Sequence, residues 1–429
     1  MNSSTITLHP TMPHAGAKKS GGFYQRIVMQ SLAQMTAGGL HLELPDGTKK
    51  VFGDPAHKIS ASVRIVNWDF FKRCVLFGDI GFGEAYMDGD WDTDDITRVI
   101  SWFILNVEHS PAMSGSRAKK WLVNLLGWQN RFGHWLRPNS LTTSRHNISA
   151  HYDLGNDFYR LFLDPSMTYS SALFEPGRTG LVPTLEQAQA AKYDRLCRQL
   201  KLQPGEHILE IGSGWGGFSR YAATHYGVSI TTATISEEQF KYARESFQRE
   251  GLADRVTIKL IDYRQLTGQF DKIVSIEMIE AVGDQYLETY FAKCHELLKP
   301  HGLLALQMIT CPDSRHDSLR KNVDWIQKHI FPGSLLLSVH RVNEALRRTG
   351  DLSLHDLKDL GLSYAETLKR WRRTFNQNEA VIRTLQFDTR FIRKWNYYLA
   401  YCEAAFAMRN ISVVQAIYTR PNNPTLQSP

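Results

Sequence analysis

The stretch LEIGSGWGG, Leu209–Gly217, constrains this chain most: an apolar run ends in a glycine-rich turn. From Gly205 onward, strand-like runs (HILEIG, VSITTAT, VTIKLID, KIVSIEM and GLLALQMIT) alternate with helical stretches such as SEEQFKYARESFQREG and YLETYFAKCHELLKPHG. That alternation predicts an α/β fold with a doubly wound, mostly parallel sheet. A glycine turn after its first strand lets the backbone come close to the phosphate or ribose part of a nucleotide cofactor.

Two templates compete for the turn. Gly212, Gly214 and Gly217 satisfy the G-x-G-x-x-G of dinucleotide sites. Such a site also needs an acidic residue about 20 residues on, ending the next strand, for the ribose diol. Here VSITTATIS ends in Thr234 and Ser236, and Glu237 and Glu238 fall in the following helix. Glu210, Gly212, Gly214 and Gly216 fit E/D-x-G-x-G-x-G instead, in which the glycines let the backbone approach the methionine part of S-adenosylmethionine (SAM). With no pyrophosphate to seat, the third-glycine requirement relaxes. Asp262, ending LID, offers a carboxylate to the adenine amino group, and LLKPHG before LLALQMI is a further mark of SAM-dependent methyltransferases. The residues favour SAM over a nicotinamide.

At 429 residues the chain exceeds what one core usually covers, and 42% hydrophobic with 22% charged residues is an ordinary globular balance. A net charge of +7 favours an anionic partner, nucleic acid or an acidic membrane surface, without choosing between them. There is no run of about 18 apolar residues to span a bilayer, and the polar N-terminus is not a secretory signal. Five scattered cysteines without a CxxC spacing argue against zinc or a disulfide framework and for a reduced, cytoplasmic protein. The acidic run DGDWDTDD, Asp88–Asp95, fails as an EF-hand, because Thr93 and Val99 stand where Gly and Glu are required. Asp94 or Asp95 caps the helix that follows.

Four segments are expected. Residues 1–20 are a polar, disordered tail. Residues 21–109 form a small α+β module with a hairpin at Asp46-Gly47 in LHLELPDGTKKVF. Residues 110–145 hold a linker, SPAMSGSRAKKW, and a connecting helix, WLVNLLGWQNRFGHWL. Residues 146–429 form the catalytic α/β domain. LKRWRRTF and TRFIRKWNYYLAY interleave Arg and Lys with aromatics, which suits either an anionic lipid interface or an amphipathic helix packing its rings inward. His146 and His151 lie five apart, so they are not a helix-face ligand pair.

Beyond the cofactor fold, the chain resembles one family, the cyclopropane-fatty-acyl-phospholipid synthases, including the mycolic acid cyclopropane synthases. HYDLGNDFYRLFLDPSMTYSSALF (151–174), IVSIEMIEAVG (273–283), IFPGSLLLS (330–338) and WNYYLAYCEAAFAMRNISVVQAIYTRP (395–421) are similar to family segments. GDIGFGEAYMDGDW is similar to the N-terminal module of the long, bacterial and plant-type enzymes. The resemblance runs from about Gly38 nearly to the C-terminus. It implies a seven-stranded class I SAM-methyltransferase sheet. It also implies that Tyr169 and Ser170 close over SAM, that Gly212, Gly214 and Gly216 line its methionine end, that Thr234 and Gln239 take the ribose, and that Asp262 and Tyr263 sit by the adenine. The module, by the same resemblance, engages lipid and forms a homodimer, which places the protein at the inner face of an anionic membrane without crossing it.

The implied reaction joins the electrophilic sulfonium methyl to a cis double bond in an unsaturated phospholipid acyl chain. The chain carbocation then loses a proton from the new methyl and closes a cyclopropane. The protein must supply an apolar channel, exclude water, stabilise positive charge and provide a base. In the family that base is a bound bicarbonate held by a polar cluster, represented here by Ser171, Glu280, Gln307, Ile309 and Tyr364. Ser171 stands for a family cysteine, Ala281 for a histidine and Gln307 for another histidine; Ser and Gln still donate to an anion. A weakened or displaced base redirects proton loss and gives a methylated or methylene fatty acid instead of a ring. Cys402 is similar to a cysteine proposed as catalytic in the family. Methyl transfer to an alkene needs no covalent nucleophile, and its place in YYLAYCEAAF favours packing. Small-amine N-methylation, known on the same core, is disfavoured by the N-terminal module. Nucleic-acid amino-methylation is disfavoured because SIEMIEAVG stands where an Asn/Asp-Pro-Pro-aromatic segment belongs. A lipid-binding protein without chemistry is disfavoured by the intact SAM motif.

Overall fold

The computed structural model describes residues 22–107, 154–175, 182–320 and 323–426. The expected tail, the linker with its connecting helix, His146 and His151 lie outside the described residues. Helix α1 (Gly22–Ala33) precedes β1 (Gly39–Glu43), β2 (Lys49–Gly53), β3 (Ser60–Ile65), α2 (Asp69–Met87), β4 (Trp91–Asp92) and α3 (Ile96–Leu105). The strands form a sheet in the order β2-β1-β3-β4. β1 and β2 pair antiparallel across the expected turn, where Asp46 accepts from Thr48 N (3.0 Å) and Gly47 takes φ +81°. The acidic run is engaged internally: Asp88 meets Arg73 and Arg390, Asp90 accepts from Asn67, and Asp95 caps α3 through Arg98 N.

The larger part opens with α4 (Asn156–Arg160) and α5 (Leu185–Gln199). Then come β5 (His207–Ile211), α6 (Gly217–Tyr226), β6 (Ser229–Thr234), α7 (Glu237–Arg249), β7 (Val256–Leu260), β8 (Phe270–Ile276), α8 (Leu287–Leu297) and β9 (Leu298–Thr310). α9 (Asp313–Arg320), α10 (Trp325–His329), α11 (Val339–Thr349), β10 (Ser353–Asp359), α12 (Gly361–Gln377), α13 (Glu379–Thr384), α14 (Thr389–Ala407) and β11 (Ser412–Thr419) complete it. The seven strands run β10-β11-β9-β8-β5-β6-β7, and β11 alone lies antiparallel to its neighbours. This is the mostly parallel, doubly wound α/β sheet that the alternation predicts, with strand β9 beginning at Leu298 rather than at Gly302. Its central strands are buried on both faces because helices cover both. Leu196, Phe218 and Phe247 pack on one side, and Phe291, Leu297 and Leu346 on the other. From β5 the chain steps to β6 on one side, while β8 lies on the other. The crevice at the carboxyl ends of β5 and β8 is therefore where such a sheet binds its ligand.

One buried aromatic core joins the N-terminal module to the helices over that crevice. Phe70, Trp91 and Trp102 share it with Phe158, Trp325, Trp371 and Trp395. Arg393 of α14 donates to the carbonyls of Tyr86 (2.5 Å) and Trp91 (2.9 Å), and Lys328 meets Glu84 at 2.7 Å. The aromatic residues of the two Arg-rich stretches accordingly turn inward: Trp371, Phe375, Trp395, Tyr397 and Tyr398 are buried, and Arg372 pairs with Glu403 (3.0 Å). For these rings the packing alternative holds and the lipid-interface alternative does not. Gly83 makes the contact possible, since a Cβ there would stand 2.5 Å from the Trp325 ring and 2.9 Å from Tyr397. Gly83→Val should cost about 1–3 kcal/mol through overpacking. Urea unfolding should show a lower midpoint with the slope unchanged. An unchanged midpoint would mean that α2 moves off Trp325 freely.

Candidate active site

The turn after β5 forms because its glycines take backbone angles that other residues adopt only at a cost. Gly212, Gly214 and Gly216 have φ of +95°, +49° and +87°. A Cβ on Gly212 would come within 2.9 Å of Met278, and one on Gly216 within 2.6 Å of Phe247, whereas one on Gly214 would meet nothing within 4 Å. The turn is thus packed at its ends and open at its centre. Glu210 lies beneath it, buried, with the hydroxyls of Ser219 and Thr232 donating to one oxygen. Burial pushes its carboxyl up to about 7 against those two hydrogen bonds. Glu210 therefore ties β5 to β6 and α6. At the next strand end, Thr234 donates to Gln239 Oε1 (2.9 Å). Asp262 is held by its neighbour: Arg264 gives it Nε (2.8 Å), Nη2 (2.7 Å) and its backbone N–H (3.0 Å). The Arg264 guanidinium lies 5.4 Å from the centre of the Tyr263 ring.

Across the crevice, the expected polar cluster assembles around a residue that sequence reasoning missed. Glu277 follows β8, and its carboxylate accepts from Ser171 N (2.9 Å), Gln307 Nε2 (2.7 Å) and Tyr364 OH (2.8 Å). The Ser171 hydroxyl turns away to the Ala172 carbonyl (2.9 Å), so this residue contributes its backbone. A buried chain sets the direction of the Gln307 amide. Arg195, fixed by Asp356, donates to Gln415 Oε1 (2.9 Å); Gln415 Nε2 then donates to Gln307 Oε1 (2.9 Å), which leaves the Gln307 N–H group facing Glu277.

Glu280 accepts from Ile309 N (2.6 Å) through one oxygen; the other is buried without a hydrogen-bond partner among the described residues. Burial first, and the Glu277 charge second, push its carboxyl up to about 8, so it is a neutral acid at pH 7. Burial also raises Glu277, but its three donors work the other way. Lys192, fully buried, donates to Ser170 Oγ (2.8 Å), and burial pulls its ammonium down to about 7. Tyr169 stacks on Trp371 with centroids 5.2 Å apart and shares a hydrogen bond with Tyr398 (2.8 Å).

Residues 139–416 match the family model described as mycolic acid cyclopropane synthetase. The chain is 38% identical to "Tuberculostearic acid methyltransferase UfaA1" of Mycobacterium tuberculosis over 92% of each chain. It is 37% identical to the "Cyclopropane-fatty-acyl-phospholipid synthase" of Escherichia coli K12, over 84% of this chain and 88% of that one. Among solved structures, mycolic acid cyclopropane synthase CmaA1 complexed with SAH and CTAB superposes with a TM-score of 0.59 at 31% identity, covering 64% of this chain and 98% of that one. The chain belongs to the mycolic acid cyclopropane synthetase family. It is a SAM-dependent methyltransferase with the seven-stranded sheet of that class.

For this family member the residues fit SAM, because the open centre of the glycine turn is a cradle that any side chain at Gly214 would enter. They do not fit a bound bicarbonate. Of the expected cluster, Gln307 and Tyr364 are spent on Glu277, the Ser171 hydroxyl is spent on the Ala172 carbonyl and the Ile309 N–H on Glu280, and an added anion would face the Glu277 carboxylate. Cys402, half-buried on α14 against the aromatic core, has its thiol pushed up by burial, which disfavours the thiolate that a nucleophile needs. Two signals pointed to the missed residues. Glu277 and Glu280 are a pair of acids directly after an apolar strand, and Lys192 is a lysine on the apolar face of α5.

The Glu280 environment makes stability depend on pH. Its folded value of about 8 lies above the ordinary 4.5, so between those limits the native state binds more protons than the unfolded chain, and stability falls as pH rises. Glu280→Gln removes that contribution. Its stability relative to wild type should grow from pH 5 to pH 8 by up to ~1.4 kcal/mol per pH unit, measured by urea unfolding. Parallel wild-type and variant curves would contradict a neutral Glu280.

Proposed function

We propose that this enzyme methylates the cis double bond of an unsaturated acyl chain carried on a phospholipid, and that its main product is a cyclopropane fatty acid. The observation that carries this reading is a proton-accepting cluster walled by aromatic rings: Tyr364 packs on Phe406 (4.5 Å between centroids) and Tyr169 on Trp371 beside it. An alkene offers no hydrogen bonds, so its site needs apolar walls, and the cation it becomes is stabilised over aromatic faces. An amine acceptor would need neither those walls nor a base for a carbon-bound proton. SAM, when bound, supplies an electrophilic methyl group.

In this reading Gly212, Gly214 and Gly216, above the Glu210 anchor, receive the methionine end. Thr234 orients Gln239 toward the ribose, Asp262 and Tyr263 flank the adenine, and Tyr169 and Ser170 cover the methyl. Residues 146–429 are the catalytic unit and 21–109 the lipid-engaging module. The name of the E. coli relative supports a phospholipid substrate. Charge of +7 suits peripheral attachment to an anionic leaflet, and no helix among the described residues is long and apolar enough to cross a membrane. A second product is favoured by a specific observation. Ser171 and Gln307 depart from the expected cluster, and the Mycobacterium tuberculosis relative is named for a tuberculostearic acid methyltransferase, which points to a methylated or methylene chain.

Incubating the protein with SAM and vesicles of monounsaturated phospholipid should release SAH and add one CH2 to the acyl chain. Hydrogenation followed by NMR separates a ring from its methylene isomer. Fully saturated vesicles should support no turnover. Equal SAH release from both kinds of vesicle, or release from neither, would refute the reading.

A further inference from the structure

We propose that the Glu277 carboxylate is itself the proton acceptor of the reaction, so that the chain carries its own base in the place where a bound bicarbonate was expected. This rests on the alkene-methylation reading above. Its first support is the donor set. Ser171 N, Gln307 Nε2 and Tyr364 OH come from segments distant in sequence, and they converge on this one carboxylate at 2.7–2.9 Å. An oxyanion that must be buried and reactive requires such a set, and here the set is complete without a guest.

The second support is backbone strain at the same residue. Glu277 takes φ +48°, a region costly for a long side chain, and its N–H is locked on Gln307 O at 2.7 Å. That turn lies beside the cofactor cradle: the next residue, Met278, is the one that a Cβ on Gly212 would strike. The third support is the neighbouring acid. Glu280 has one backbone donor and an oxygen without a partner among the described residues, whereas Glu277 has three donors, so Glu277 is the member of the pair whose surroundings suit a proton-accepting carboxylate.

The step balances. Methyl transfer leaves the acyl chain as a carbocation and the donor as SAH. A C–H bond of the new methyl then breaks; the proton goes to a Glu277 oxygen, and the electron pair forms the third C–C bond of the ring. If a hydride first moves from the methylated carbon to the cationic one, the same pair forms the C=C of a methylene. The neutral Glu277 returns its proton to water when product leaves.

The test uses the full chain with SAM and monounsaturated phospholipid vesicles, in buffer stripped of carbon dioxide and in buffer with added bicarbonate. Wild type should turn over equally in both. Glu277→Gln should lose about 100-fold or more of its rate while binding SAM with unchanged affinity by calorimetry, which separates lost chemistry from lost folding. Glu277→Gly, which suits the positive φ and frees the three donors, should be inactive without bicarbonate and regain turnover with it. A wild-type rate that collapses without bicarbonate, or a Glu277→Gln enzyme near wild-type rate, overturns the proposal while leaving alkene methylation standing. A wild type that turns over no unsaturated lipid overturns both.

Discussion

A carboxylate that must stay charged inside a protein is the constraint on which the rest of this site depends. Removing such a charge from water costs several kcal/mol unless hydrogen bonds replace the lost hydration. For Glu277 the replacement comes from the loop before α5, from β9 and from α12, so three elements must be held in register for one side chain. The polar residues between the sheet and those elements serve that end. Arg195 and Gln415 determine which end of the Gln307 amide meets the carboxylate, and their buried chain is satisfied link by link. Seen this way, the two departures from the family cluster have different weights. Ser171 contributes a backbone N–H that any residue except proline would supply. Gln307 must accept on one side and donate on the other, which an amide does through two separate atoms.

Two carboxyl groups three residues apart would repel if both were ionised. The structure divides them by environment. Glu277 faces three donors, whereas Glu280 faces one backbone N–H and leaves its second oxygen without a partner among the described residues. The less solvated group holds its proton more tightly than the better solvated one. Lys192 adds to the same balance: it is buried on α5, holds Ser170, and has an ammonium that burial brings near neutral pH.

Parts of this were open to reading from sequence, for reasons that particular residues make clear. The glycine turn was legible because positive φ leaves few alternatives to glycine, so composition and conformation carry the same information. β10 was not, because SLHDLKD is an almost wholly exposed edge strand and alternation has no buried face to mark. Glu277 was hidden because its partners arrive through tertiary contacts, 106 residues away for Ser171 and 87 for Tyr364. Spacing showed two acids, and only the fold says which one the donors meet. Asp262 was legible as a strand-end acid, and the fold adds what surrounds it. It stands at the expected strand end, yet Arg264 two residues on engages both of its oxygens, so any adenine contact shares an acceptor already in use.

The aromatic helices show why the N-terminal module belongs to the architecture of the site. Helical periodicity gives α14 an aromatic face but does not say what that face meets. In the fold, two successive turns of α14 carry Arg393, clamped on the module's Tyr86 and Trp91 carbonyls, and Trp395, Tyr397 and Tyr398, packed inward. Tyr397 lies against Tyr86 of the module, and Tyr398 bonds Tyr169 at the crevice. Packed interiors do not stretch, so the distance between these contacts is set by the helix itself. A displacement of the module would be passed through α14 to the Tyr169–Tyr398 pair. The aromatic wall beside Glu277 therefore depends on a part of the chain that contributes none of the expected cofactor or cluster residues.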